Sequence, residues 1–120
     1  MRGMIGRLYS TVIDCPRPDE LARFYEEVLG LSRTHTDDDW VTIGDGPNRI
    51  SFQRAPDLRE PQWPDPERPQ QFHFDIEVDD VDAAEERVLK LGARRLPGEG
   101  DDFRVYADPA GHPFCLVWNT

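Results

Sequence analysis

The chain repeats itself, and that constrains its fold more than anything else in the sequence. Gly30 to Gln53 spans 23 residues, and Gly92 to Cys115 spans the same 23. Across that interval, with no gap, Val41 falls on Phe103, Ile43 on Val105, Pro47 on Pro109 and Phe52 on Phe114. Going back, Ser10 lies 20 residues before Gly30 and His73 lies 19 before Gly92, so one residue of slack in a turn completes the match. Few identities survive, yet the apolar frame recurs. A chain of 120 residues is too short for two independent cores of working size. The duplication therefore predicts an α+β domain of two pseudo-equivalent modules packed around a cleft. Module one is residues 1–55, a proline-rich linker is 56–70, and module two is 71–120.

Each module reads strand, helix, three strands. From Ile5 to Asp14 the β-branched and aromatic residues predict a strand, closed by Pro16 and Pro18 because proline removes the donor a ladder needs. Asp19 stands where an N-cap is expected. Leu21, Phe24, Tyr25, Val28 and Leu29 then recur at three- and four-residue intervals up to Gly30, an amphipathic helix with a glycine stop. Three strands follow, over 31–36, 40–43 and 49–54. Pro56, Pro61, Pro64, Pro66 and Pro69 make the next stretch a stiff, extended connection that cannot be helical. The plan resumes at Gln71. Phe72, Phe74, Ile76 and Val78 share one face of a strand, and His73, Asp75 and Glu77 share the other, so one face makes core and the other can carry chemistry. Asp79, Asp80 and Asp82 suit the start of a helix over 81–91, with Ala84, Val88 and Leu91 inward and Gly92 after it. Strands over 93–96, 103–107 and 113–119 complete the second module.

Composition excludes several classes of partner. With 14 basic and 24 acidic residues the chain carries a net charge of −10, which repels phosphate backbones and anionic lipid surfaces. Nucleic acid and membrane are therefore not expected as partners. The two cysteines, Cys15 and Cys115, form no Cys-x-x-Cys pair, so neither a disulfide framework nor a thiolate zinc motif is read, and a reducing, cytoplasmic setting is expected. No run of 18 apolar residues is present, nor a signal-peptide apolar run at the amino terminus.

Three stretches carry a resemblance: Asp19-Glu-Leu-Ala-Arg-Phe-Tyr-Glu-Glu-Val-Leu-Gly-Leu, Phe72-His-Phe-Asp-Ile-Glu-Val-Asp-Asp-Val-Asp-Ala-Ala and Asp108-Pro-Ala-Gly-His-Pro-Phe-Cys-Leu-Val. In this order they resemble the vicinal oxygen chelate superfamily of glyoxalase I, bleomycin-resistance proteins, fosfomycin-resistance enzymes and extradiol dioxygenases. The resemblance implies two βαβββ modules forming a cup-shaped mixed sheet that cradles a metal or small molecule, often in a homodimer. In metal-using members the ligands, His or Glu, come from the first and fourth strands of each module. Carried over, those positions are Ser10, Gln53, His73 and Cys115, and only His73 matches. Ser10 and Gln53 are neutral oxygen donors. Cys115 replaces a carboxylate that a Mg, Mn or Fe site would want and suits only a soft metal. This quartet predicts a degraded metal site and no cofactor, with a divalent metal as the alternative.

His73 remains open between a hydrogen-bonded strand histidine and a general base, with no activating partner visible in the sequence. Cys115 reads as an inert buried thiol. Trp63, inside the proline-rich stretch, is a candidate lid or contact residue. The expected function is small-molecule binding, a hydrophobic or planar ligand held by Ser10, Gln53, His73, Cys115 and Trp63. The alternatives are a metal-dependent lyase, isomerase or dioxygenase of glyoxalase type, and a structural homodimer with an empty cup.

Overall fold

The computed structural model describes residues 6–119. The chain divides after Pro56 into two compact units. Unit one runs β1 (Thr11–Cys15), α1 (Pro18–Leu29), β2 (Ser32–Thr36), β3 (Trp40–Asp45) and β4 (Asn48–Arg54). Unit two runs β5 (Phe74–Glu77), α2 (Val81–Lys90), β6 (Arg94–Glu99), β7 (Phe103–Ala107) and β8 (Pro113–Val117). Each is a βαβββ unit with a four-stranded mixed sheet, in the orders β1-β4-β3-β2 and β5-β8-β7-β6. The first strand pairs parallel with the fourth, and the remaining pairs are antiparallel. The fold is thus α+β. Among the described residues no helix is long and apolar enough to cross a membrane.

In unit one, α1 starts at Pro18, whose missing N–H is one that a first turn leaves unbonded anyway. The N-cap is Arg17, not Asp19, and it makes no side-chain cap. Asp19 is drawn off by Arg33 of β2, which also donates to Glu26 Oε1 at 2.7 Å and so ties the strand to both ends of the helix. That arginine holds the Asp19 carboxyl below the usual carboxylate range. The helix ends where Gly30 takes a left-handed φ of 67° and its N–H reaches Glu26 O at 2.9 Å. Leu21, Ala22, Phe24 and Tyr25 are buried, and Tyr25 stacks on Phe52 of β4 with ring centroids 5.9 Å apart. β1 is shorter than the sequence suggests, beginning at Thr11. Ile5 lies outside the described residues.

In unit two the Asp80 side chain caps α2 by accepting from Ala83 N–H at 3.1 Å. Val88 is buried, whereas Leu91, expected inside, is the exposed C-cap. β5 begins at Phe74 because its pairing with β8 begins at Phe74 opposite Phe114. His73 therefore immediately precedes the strand, and Phe72, expected in the core, is 48% exposed. The proline-rich stretch is not simply extended. Its middle folds back, with Gln62 N–H donating to Arg68 O at 2.8 Å and Asp65 N–H to Gln62 O at 2.6 Å. Proline forbids helix here but is at home in turns.

The core of unit two is pinned by one carboxylate. Tyr106 of β7 is fully buried, stacks on Phe114 at 5.4 Å, and donates its hydroxyl to Glu85 Oε1 at 2.7 Å. The same oxygen receives Arg95 at 2.6 Å, and Arg104 stands 3.5 Å away. The Tyr106 hydroxyl first, then the two guanidinium charges, hold the Glu85 carboxyl below its ordinary range against the opposing cost of burial. Burial and the adjacent carboxylate push the Tyr106 phenol up. A carboxylate with a lowered folded pKa stabilises the fold above its unfolded pKa and loses that contribution as pH falls through the folded value. Replacing Glu85 with Gln should cost about 1.5–3 kcal/mol at neutral pH, the range for hydrogen bonds to a charged group. The gap between wild type and variant in urea unfolding should close as pH drops below about 4.

Candidate functional site

The alternation of a strand decides what meets in each unit, because the parallel pairing lays the first strand against the fourth and every second residue turns to the same face. In unit two, Asp75 is the Cα partner of Cys115, and Val105 faces Cys115 from β7. His73 is two residues before Asp75, on the same face. Its Nε2 lies 3.2 Å from Asp75 Oδ1. A nitrogen of His73, a carboxylate oxygen of Asp75 and the sulfur of Cys115 all fall within 4.8 Å of one another. They line a cavity of about 560 Å³ whose walls also include Trp63, Phe103, Val105 and Val117, together with the polar Gln70 and Asp102.

Trp63 is placed there by one hydrogen bond, its indole Nε1 donating to Pro97 O of β6 at 2.7 Å. The turn that the proline-rich stretch makes brings it to that wall. Cys115 is buried on the central strand of its sheet, and burial, reinforced by the Asp75 charge, pushes its thiol up to about 11. At neutral pH it is a thiol, not a thiolate, and a poor nucleophile. The described residues lining this cavity include two aspartates and a histidine but no lysine or arginine, so it repels anions.

In unit one the corresponding face carries a chain of hydroxyls. Trp40 Nε1 donates to Thr42 Oγ1 at 3.1 Å, Thr42 and Ser51 stand 2.9 Å apart, and Ser51 and Ser10 2.8 Å apart. One consistent order has each hydroxyl donating to the next, ending with Ser10 on Thr11 O at 3.5 Å. Thr42 and Ser51 are buried. A concavity of about 920 Å³ lies over this face, lined by residues that include Ser10, Val12, Trp40 and Arg49.

Three of the residues singled out from the sequence, His73, Cys115 and Trp63, thus line one cavity of unit two, and Ser10 lines the concavity of unit one. Gln53 is exposed at the far end of β4, paired with Asp14 and Trp40. The register gives Ser51, not Gln53, the place that Cys115 has in unit two: Ser51 opposes Val12 and Thr42 as Cys115 opposes Asp75 and Val105. A gapless count misses this because unit two has one more residue before β7 and one more between β7 and β8. The residue that sequence reasoning overlooked is Asp75. The strand alternation already puts it on the face of His73, and it is the partner that the sequence does not reveal.

The resemblance implies a divalent ion, and the donor sets of the two units answer differently. Ser10 and Ser51 are neutral hydroxyls engaged with each other. His73, Asp75 and Cys115 offer nitrogen, oxygen and sulfur in one place and fit a thiophilic ion rather than an oxygen-seeking one. Bound there, a divalent ion would supply Lewis-acid polarisation of a substrate oxygen.

Comparisons with known proteins agree with this architecture. A family model described as a glyoxalase-like domain matches residues 10–117. A glyoxalase/bleomycin resistance protein/dioxygenase family enzyme from Burkholderia phytofirmans PsJN is similar with TM-score 0.75 at 16% identity, over 96% of this chain and 100% of that one. The fosfomycin resistance protein FosX from Mesorhizobium loti gives 0.71 at 20% identity, over 98% of this chain and 94% of that one. A bleomycin-binding protein from Streptomyces verticillus, complexed with copper(II)-bleomycin, gives 0.57 at 21% identity over the whole of both chains. At these identities the likeness is one of fold. Comparison with curated proteins gave no match.

Thiol reactivity checks the electrostatics of the cavity. Site-resolved alkylation of Cys115 by iodoacetamide should be slow at pH 7 and keep rising through pH 10 without a plateau, following a thiol near 11. A plateau below pH 9 would show an activated thiolate instead. Asp75→Asn should move the profile to lower pH by removing a charge that opposes ionisation.

Proposed function

This chain belongs to the glyoxalase-like domain family, and from that premise we propose that it binds a small planar or apolar molecule in the cavity of unit two, with His73 as the polar contact. One observation carries the reading: a cavity with apolar walls that His73, Asp75 and Cys115 line together. Its volume of about 560 Å³ falls inside the range of small-molecule pockets, roughly 300–1,000 Å³, which are mostly apolar with a few placed polar groups. The Trp63 N–H is already spent on Pro97 O, so the indole offers its apolar surface to a ligand. Asp75 Oδ1 stands 3.2 Å from His73 Nε2 at the polar end. With acidic groups in the wall and no basic ones among its described residues, the cavity favours neutral or cationic ligands over carboxylates and phosphonates. Structural neighbours that include a bleomycin-binding protein make a ligand-holding role consistent with the family's range.

A second reading, glyoxalase-type lyase or isomerase chemistry, is favoured by the His73 and Asp75 pair. A carboxylate on one imidazole nitrogen fixes the ring as a general base requires. Asp75→Asn separates the two readings: an enzyme would lose turnover with ligand affinity largely kept, whereas a binder has no turnover to lose.

The test is tryptophan fluorescence and thermal shift against a matched panel of planar aromatic compounds, each in cationic, neutral and anionic form. Neutral and cationic members should raise the midpoint temperature. Trp63→Ala should weaken the best of them by about tenfold or more, the scale of one aromatic contact, roughly 0.5–1.5 kcal/mol, plus its lost apolar area. His73→Ala should weaken it further for ligands with a hydrogen-bonding edge. Silence across the panel, or full affinity in Trp63→Ala, removes the reading.

A further inference from the structure

We propose that residues 61–70 of the proline-rich stretch form a hinged gate on the cavity of unit two, held shut by the single hydrogen bond from Trp63 to Pro97 O, and that its opening sets access to the Cys115 thiol. The inference concerns entry to the cavity; it goes beyond small-molecule binding and does not rest on it.

The segment is bonded as one piece. Gln62 N–H donates to Arg68 O at 2.8 Å, Asp65 N–H to Gln62 O at 2.6 Å and Arg68 N–H to Asp65 O at 3.1 Å, while Asp65 Oδ1 accepts from Glu67 N–H at 2.9 Å. Among the described residues none of its backbone groups is bonded to the sheet, so swinging it outward breaks no ladder. Its two ends are fixed. On one side Glu60 packs over Gly111, where a Cβ would overlap its side chain, and Glu60 Oε1 stands 4.0 Å from Arg94 Nη2. On the other side the chain enters the β5 ladder at Phe74. A segment that is mostly exposed, bonded within itself and anchored at its ends belongs to the low-stability part of a fold.

The latch is placed by an irregularity in β6. The ladder pairs Arg95 with Tyr106 and Glu99 with Arg104, so Leu96, Pro97 and Gly98 stand together against Val105. Extra residues of this kind bend a strand, and Gly98 supplies a φ of 107° that a residue with a side chain rarely adopts. Pro97 accepts from the indole Nε1 at 2.7 Å, and no other side chain of the segment is bonded to the sheet among the described residues. Trp63 and Gln70 line the same cavity as Cys115, which is 8% exposed with the gate shut. One neutral hydrogen bond shifts an equilibrium by about two- to tenfold. A gate held this way stays shut most of the time and still opens without help. Cys15, the other thiol, is buried in unit one with its sulfur directed at Gln53 O at 3.8 Å, which makes it an internal control.

Alkylation of Cys115 in the full-length protein reads the gate with no ligand present. Trp63→Phe keeps an aromatic ring and removes the donor, so modification by iodoacetamide should speed up about two- to tenfold, the worth of that bond. The ratio of variant to wild-type rate should hold from pH 7 to pH 10, because access multiplies the rate without altering the thiol. It should be larger for N-(1-pyrenyl)iodoacetamide, which carries the same reactive group on a bulkier body. Trp63→benzothienylalanine, the same shape without the N–H, should behave as Trp63→Phe does. Cys15 should react at its wild-type rate throughout. In hydrogen exchange the amides of Gln62, Asp65 and Arg68 should keep their wild-type protection, since the segment swings whole. The proposal is overturned if both Trp63 variants react at the wild-type rate with both reagents, or if benzothienylalanine alone restores that rate, which would make ring size and not the bond the latch. It also falls if Cys15 accelerates as much as Cys115, if the ratio changes with pH, or if those amides lose protection, which would mean unravelling in place of swinging. A ligand panel that stays silent while the variants accelerate alkylation would remove the binding reading and leave the gate standing.

Discussion

Everything in each unit depends on the parallel ladder between its first and fourth strands. Backbone N–H and C=O groups must be paired when buried, and β4 and β8 satisfy theirs on both sides, against β1 and β3 in one sheet and β5 and β7 in the other. A strand held on both edges is the stiffest place in its sheet. One face of it is packed by the helix, through Phe52 in unit one and through Phe114 and Leu116 in unit two, and those residues are fully or almost fully buried. The other face is therefore a fixed platform. Ser51 and Cys115 stand on it, and the residues that join them, Ser10 and His73, come from just before the first strand, at the margin of the sheet. The result is a rigid atom in the middle and an adaptable one at the rim.

Much of this is visible in the sequence because it is written in periodicities. The Leu21, Phe24, Tyr25 spacing, the glycine at Gly30 and the Phe74, Ile76 alternation each reflect a backbone repeat that packing then reinforces, and the unit order β, α, β, β, β follows from them. The errors lie where tertiary contacts compete with local signals. Asp19 has the chemistry of an N-cap but is outbid by Arg33, which reaches across from β2 and offers a charge where the helix start offers only dipoles. Phe72 has the apolar character of a core residue but sits beyond the last ladder pair, so no neighbouring strand covers it. Leu91 has the helical spacing of an inward residue but falls on the C-cap, where the chain is already turning away.

The site was legible in part, for a reason that is also physical. Alternation alone places Asp75 beside His73, yet it cannot say which residue of another strand lies opposite, because register is decided by turns and by which apolar set must be buried. Counting without gaps pairs Gln53 with Cys115. Two single-residue insertions in the connections of unit two move the true counterpart to Ser51, and a shift of two keeps the same face and the same apolar pattern. Even the shift of one at β7 passes unnoticed, because Phe103 and Val105 are apolar on the cavity face just as Val41 and Ile43 are apolar on the buried face. The two-residue slip costs the pattern nothing, so only the hydrogen-bonded ladder exposes it.

The two units have used the same platform in opposite ways. In unit one, Thr42, Ser51 and Ser10 satisfy one another and end on a backbone carbonyl, so every hydroxyl has a donor or an acceptor and none carries charge. Such a chain is stable because a buried hydroxyl without a partner costs about 1–3 kcal/mol, but a saturated chain has little left to offer a ligand. In unit two the equivalent face replaces Thr42 with Val105 and Ser51 with Cys115, which removes two strong hydrogen-bonding groups and leaves Asp75 facing a weak donor and an imidazole. That arrangement is less self-sufficient. Burial, reinforced by the carboxylate's charge, keeps the thiol protonated, and the imidazole sits at the rim with its Nε2 3.2 Å from that carboxylate. Chemistry concentrates where polar groups are brought together without cancelling each other. By that criterion the face of unit two, rather than that of unit one, is the one that carries the binding reading proposed above.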